Sequence, residues 1–111
     1  MIIKHTKSFD RTFKKLKKHN NEYNNCCKII EIIENTRTFD DLCNLPQVKM
    51  YGFERLKHNL NDYYYFNLCK RGGVIRLIVK PVDNCSIELF LITISYNHYE
   101  DFDPEGVNYY E

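Results

Sequence analysis

The sequence contains no tryptophan; its aromatic content of 14% is carried by nine tyrosines and seven phenylalanines. No stretch approaches the ~18 consecutive apolar residues of a membrane-spanning helix, so a helical membrane protein is excluded and no membrane partner is expected. The opening Met1-Ile2-Ile3-Lys4-His5 lacks the apolar core of a signal peptide, and the expectation is a soluble, cytoplasmic protein. The five cysteines, Cys26, Cys27, Cys43, Cys69 and Cys85, contain no C-x-x-C pair, so neither a zinc knuckle nor a redox pair is supported. Reduced, mostly buried thiols are expected instead. No lysine or arginine occurs after Lys80, and no internal repeat or second domain is visible.

What is present fits one domain: 111 residues, 43% of them hydrophobic, enough for a modest core. The net charge of +1 hides an asymmetry. Residues 1–19 hold seven basic residues against Asp10, a balance of +6; residues 20–80 carry +2; residues 81–111 carry −7. A basic front implies an anionic partner for one surface, and the acidic end has a separate role.

Residues 1–5 read as a short strand. Ser8 reads as an N-cap with Asp10 in the first turn, and Phe9, Phe13 and Leu16 fall on one helical face. The Asn-rich stretch His19–Asn25 reads as a turn. Cys26, Ile29, Ile30 and Ile33 then form a second apolar stripe. Thr38-Phe39-Asp40-Asp41 resembles a capping box opening a short helical turn that Pro46 ends. Tyr63–Lys70, Val74–Lys80 and Ser86–Tyr96 read as strands, with Arg71-Gly72-Gly73 as a hairpin turn and Ser86–Tyr96 central. The expected fold is α+β, in the order β-α-α-β-β-β, with two N-terminal helices packed on one face of a small antiparallel sheet. Residues 1–97 form the domain; residues 98–111 are an acidic end with aromatic anchors Phe102, Tyr109 and Tyr110.

Three signals carry chemistry: Glu54 in the run E-R-L-K-H-N-L, Arg76 inside the apolar strand V-I-R-L-I-V, and the pair His98-Tyr99 after the last strand. RNA supplies its own nucleophile, the 2′-hydroxyl. Cleavage needs a base for that proton, an acid for the departing 5′-oxygen and a cation on the phosphorane. Glu54, His98 and Arg76 fit those roles. Lys57 and His58 are suited to neighbouring phosphates, and Arg71, Lys14, Lys17 and Lys18 are further candidate RNA contacts. Each residue also has an ordinary reading: Glu54 as a solvated edge residue, Arg76 on the open face of a half-exposed sheet, His98 as a surface histidine, the lysines as a solvated helix face. Tyr63, Tyr64 and Tyr65 are suited to base stacking or to packing.

These motifs carry a resemblance across nearly the whole chain, from Met1 to Tyr99. The opening S-F-D-R-T-F-K-K-L-K-K, the segment E-R-L-K-H-N-L, the strand I-R-L-I-V and the closing His-Tyr pair resemble toxins of bacterial type II toxin–antitoxin modules. The superfamily is RelE/ParE, and the resemblance is nearest to the YoeB group of messenger-RNA interferases. The resemblance implies ribosome-dependent cleavage of messenger RNA and a cognate antitoxin that blocks it. It implies Glu54 as general base, Arg76 as phosphate-stabilising cation, His98 as general acid and Tyr99 as the residue that orients or stacks on substrate. Lys57 and His58 would support the phosphate backbone. No metal or cofactor is implied, and both a homodimer and a toxin–antitoxin complex are open. The hairpin between Leu60 and Arg76 is longer than in YoeB, and the chain runs on past Tyr99. In other branches an aromatic follows the histidine by four, the spacing of Phe102 from His98, so Phe102 shares or takes over the role of Tyr99. The alternative is a ParE-like toxin that is not a nuclease, or a decayed toxin retained for antitoxin binding.

Overall fold

A computed structural model describes residues 1–69, 73–83 and 85–107. The elements run β1 (Ile2–His5), α1 (Lys7–Leu16), α2 (Asn20–Glu34), α3 (Phe39–Asn44), α4 (Pro46–Lys49), β2 (Glu54–Arg55), β3 (Tyr64–Asn67), β4 (Arg76–Pro81) and β5 (Glu88–Ser95). Single 3-10 turns follow at His58–Leu60 and Pro104–Gly106. The expected α+β architecture holds, with the short helix expected after Thr38 present as α3 and a further one, α4, added before the hairpins.

The five-stranded sheet has the order β1-β5-β4-β3-β2. The pairs β2–β3, β3–β4 and β4–β5 are antiparallel, as expected, but β1 lies parallel to β5, so the sheet is mixed. β5 is interior, between β1 and β4, while β4 holds the middle position.

Alternation assigns the two faces. Phe66, Leu77, Val79, Leu89, Leu91 and Ile94 point to the helical side, where they bury against Phe9, Leu16, Cys26, Ile29, Ile33, Leu42 and Val48. Burying side chains of this size stabilises by about 1.5–3 kcal/mol each. Ile78 and Ile92 point the other way and meet Leu56 and Tyr63, with Phe102 and Val107 packed over them. The second face is therefore not open: the segment after β5 folds back to cover part of it. A bulge between Ile78 and Val79 leaves Ile92 without a cross-strand partner.

Several local expectations shift. Thr6, not Ser8, caps α1: its Oγ1 accepts from Phe9 N at 3.0 Å and donates to Ile92 O. Ser8 lies inside the helix and donates to Thr93 Oγ1 at 2.9 Å. The Asn-rich stretch is the first half of α2, because Tyr23 stacks on Phe13 with ring centroids 5.3 Å apart and Asn25 Nδ2 reaches Leu68 O at 2.9 Å. Tertiary contacts there override the poor helix propensity of asparagine. Thr38 caps α3 as expected, accepting from Asp41 N at 3.1 Å, whereas Pro46 opens α4 rather than closing a helix. Of the five thiols only Cys26 is buried; Cys27 is exposed and the other three are half-buried, correcting the expectation of mostly buried thiols. Arg71, Gly72, Tyr109 and Tyr110 lie outside the described residues.

β1 ends at His5, opposite Leu91, so the rest of β5 has no strand on that side. Helix α1 takes its place: Thr12 Oγ1 accepts from Ile94 N at 2.9 Å, and Tyr96 Oη donates to Thr12 O at 2.8 Å. Threonine side chains thus satisfy ladder groups that a strand would otherwise pair.

Candidate active site

Register brings the site together. Glu54 sits opposite Tyr65 across β2–β3, and Tyr65 sits opposite Ile78 across β3–β4. Arg76 is two residues before Ile78 and so shares its face. Glu54, Tyr65 and Arg76 therefore stand side by side on the face away from α1 and α2. Tyr65 Oη donates to Glu54 Oε2 at 2.9 Å, and Arg76 Cζ lies 4.4 Å from the centroid of the Tyr65 ring. A guanidinium at that distance gains about 0.5–2 kcal/mol from the ring quadrupole.

Arg76 Nε is buried and has no hydrogen-bond partner among the described residues. An unmatched charged donor is costly, so the guanidinium as a whole favours an anionic partner. Glu54, Arg55, Leu56, Lys57, Tyr65, Arg76 and Tyr99 line a hollow of about 170 Å³.

Tyr99 arrives through the fold of the acidic end. Asp101 accepts from Ser95 Oγ and, at 3.1 Å, from Tyr96 N, closing the loop after β5. His98 N donates to Val74 O at 3.0 Å, tying the loop to the start of β4. The result bends the backbone into a region that non-glycine residues avoid: φ is 60° at His98 and 111° at Tyr99. His58, beside Lys57, also has φ 60°. Such positions cost on the order of 1–3 kcal/mol each and concentrate at functional sites.

Burial and the bond to Glu54 push the Tyr65 phenol above its ordinary value, while Arg76 pulls it down. Within the hollow, then, a carboxylate, a phenol and a guanidinium form one coupled group, with Lys57 and Tyr99 on its rim.

The structure brings together Glu54, Arg76, Tyr99 and Lys57 from the sequence candidates. His98 holds the loop through its backbone, and its side chain does not line the hollow; His58 is exposed in the neighbouring 3-10 turn and does not line it either. Phe102 is placed elsewhere, edge-on to Tyr63 at 4.9 Å in the second apolar cluster. Its neighbours make it a packing residue, not a group in the hollow. Lys14, Lys17 and Lys18 are exposed on and just after α1, away from the hollow. Arg71 lies outside the described residues. Sequence reasoning missed Arg55, Tyr65 as a site residue, and Asp101; Tyr65 was visible only as one of three adjacent tyrosines. Among the described residues no three His, Cys, Asp or Glu side chains are grouped to hold a metal ion.

No family model matches the chain, and no curated protein matches it. Solved structures do match its fold. A YoeB/ParE toxin from Agrobacterium tumefaciens aligns with TM-score 0.63 at 13% identity, over 87% of this chain and 99% of that one. The E. coli DinJ–YafQ complex provides a chain with TM-score 0.62 at 18% identity, over 91% of this chain and 97% of that one. The YoeB dimer from Staphylococcus aureus gives TM-score 0.57 at 17% identity, over 87% and 97%. The α+β fold of this chain is thus the fold of YoeB and YafQ toxins, spanned almost end to end.

Proposed function

We propose that this chain is the toxin of a type II toxin–antitoxin module in the RelE/ParE superfamily, an endoribonuclease that cleaves messenger RNA on the ribosome. The observation that carries the reading is the meeting of Arg76 with Glu54 and Tyr99 in one hollow. A phosphate oxygen is the acceptor that such an arginine suits, because planar donors meet two oxygens at once. Glu54 takes the 2′-hydroxyl proton, and the freed oxygen attacks the adjacent phosphorus. Arg76, with Lys57 on the rim, holds the charge that builds on the phosphorane. The 5′-oxygen leaves with a proton from Tyr99, whose side chain lines the hollow; His98 shapes the strained turn that presents it. A 2′,3′-cyclic phosphate and a 5′-hydroxyl are the products, and the atoms balance without water in this step. The similarity to YafQ in its complex with DinJ supports a protein partner for this chain, here an antitoxin, and the similarity to a YoeB dimer supports self-association.

The test is cleavage of a defined message on programmed ribosomes, read at nucleotide resolution, beside the same RNA without ribosomes. Cleavage only with ribosomes, abolished by Glu54→Gln and by Arg76→Met, is expected. Intact messages together with induction of a DNA-damage response would replace this reading with the ParE-like one.

A further inference from the structure

We propose that Tyr65 is a positioning residue: its hydroxyl holds the Glu54 carboxylate while its ring carries the Arg76 guanidinium, so that both groups address one phosphodiester. The inference rests on the nuclease reading of the hollow and adds to it a residue on the middle of the three strands. Packing alone does not account for a tyrosine here. Tyr65 is half-buried at the rim of the cluster of Leu56, Tyr63, Ile78 and Ile92, where a phenylalanine ring would pack equally well. What the phenol adds is the 2.9 Å bond to Glu54 Oε2, which leaves Oε1 as the oxygen for proton abstraction. Glu54 is exposed on a two-residue edge strand, where a glutamate has many rotamers of similar energy. A fixed donor removes most of them. On the ring's face, Arg76 Cζ stands at 4.4 Å, so the same side chain fixes the direction of the cation.

The charged and titratable groups around the phenol are Glu54 from β2, Arg76 from β4 and Tyr99 from the returning loop. Glu54 raises the phenol's proton affinity and Arg76 lowers it. That gives a readout independent of catalysis. With ring-labelled tyrosine, the Tyr65 resonance, assigned by its loss in Tyr65→Phe, should titrate above free tyrosine. It should move down in Glu54→Gln and further up in Arg76→Met. Identical titration in wild type and Glu54→Gln refutes the link, whatever the activity.

Kinetics on ribosome-bound message give the second arm. Tyr65→Phe keeps the ring and should lower kcat about tenfold with KM unchanged. Tyr65→Leu loses the ring as well and should raise KM, because Arg76 no longer has a face to lie on. A Tyr65→Phe protein that cleaves at the wild-type rate while Glu54→Gln is inactive refutes the positioning role and leaves the nuclease reading standing. A Glu54→Gln protein as active as wild type refutes Glu54 as the base and with it the positioning role; a wild-type protein that cleaves no message refutes the nuclease reading, and the titration then decides the link by itself.

Discussion

Removing the Asp101 carboxylate should loosen the whole loop that delivers Tyr99, and the size of the effect follows from its two bonds. Asp101 accepts from Ser95 Oγ, on a residue with 0% exposure, and from Tyr96 N. In Asp101→Ala the serine hydroxyl loses its acceptor inside the protein, at about 1–3 kcal/mol for an orphaned buried group. The Tyr96 amide is more accessible and adds about 0.5–1 kcal/mol. The loop can lift to let water reach Ser95, so the loss is capped near the free energy holding it down. About 2 kcal/mol is the expected total, a factor of roughly thirty in the closed-to-open ratio. Hydrogen exchange at the His98 amide, which bonds Val74 O, reports that ratio directly. Its protection should fall roughly thirtyfold, while amides of Leu77 and Val79 in the core change much less. Adding Ser95→Ala removes the orphaned donor, so the double variant should recover part of the loss. Additive single effects, or unchanged protection at His98 in Asp101→Ala, would refute the assignment of Asp101 as the clasp.

Three further outcomes follow from other parts of the fold. Burial pushes the Cys26 thiol from 9.0 up to about 12. Folding therefore holds a proton that the unfolded chain releases: stability is whole below the lower value and falls as pH rises toward the upper one, by up to about 4 kcal/mol. Urea midpoints measured across that alkaline range should show the fall, and Cys26→Ala should flatten it; Tyr96, also raised to about 12, leaves a residual slope of the same sign. Thr12→Val should cost about 1–3 kcal/mol by orphaning Ile94 N, with Thr12→Ser close to wild type, read from denaturant midpoints and exchange at Ile94. A Cβ at position 73 would stand 2.1 Å from Cys69 Cβ, so Gly73→Ala should destabilise by roughly 1–3 kcal/mol, and Cys69→Gly in the same chain should restore part of the loss. A thermal melt of the three proteins checks it.

The elements whose evidence is local were legible in the sequence. Of the stripe Cys26, Ile29, Ile30 and Ile33, three are buried and Ile30 is partly buried at its margin, and Thr38 caps the helix it precedes. Alternation around Arg76 put it on the face opposite Leu77 and Val79, where it is found. Glu54 was named from its run and does stand beside Arg76, but nothing local said that Tyr65 would lie between them. That depends on the register of three strands at once, and a one-residue slip would have turned the tyrosine to the helical side. The Asn-rich start of α2 misled because propensity is weak against a Phe13–Tyr23 stack formed across a turn.

By itself, then, the sequence determined the periodicities, the caps, the charge asymmetry and the chemical types available for a reaction. Only the tertiary structure decided that β1 would run parallel to β5, that α1 would seal the remaining edge of β5, and that the acidic end would close on Asp101. Those choices join residues as far apart as Thr12 and Ile94, and each depends on burying apolar side chains while pairing backbone groups at the edge of β5. The hollow exists only once all of them are made; Tyr99 was legible as half of a His-Tyr pair, whereas Tyr65 joins the hollow by position alone.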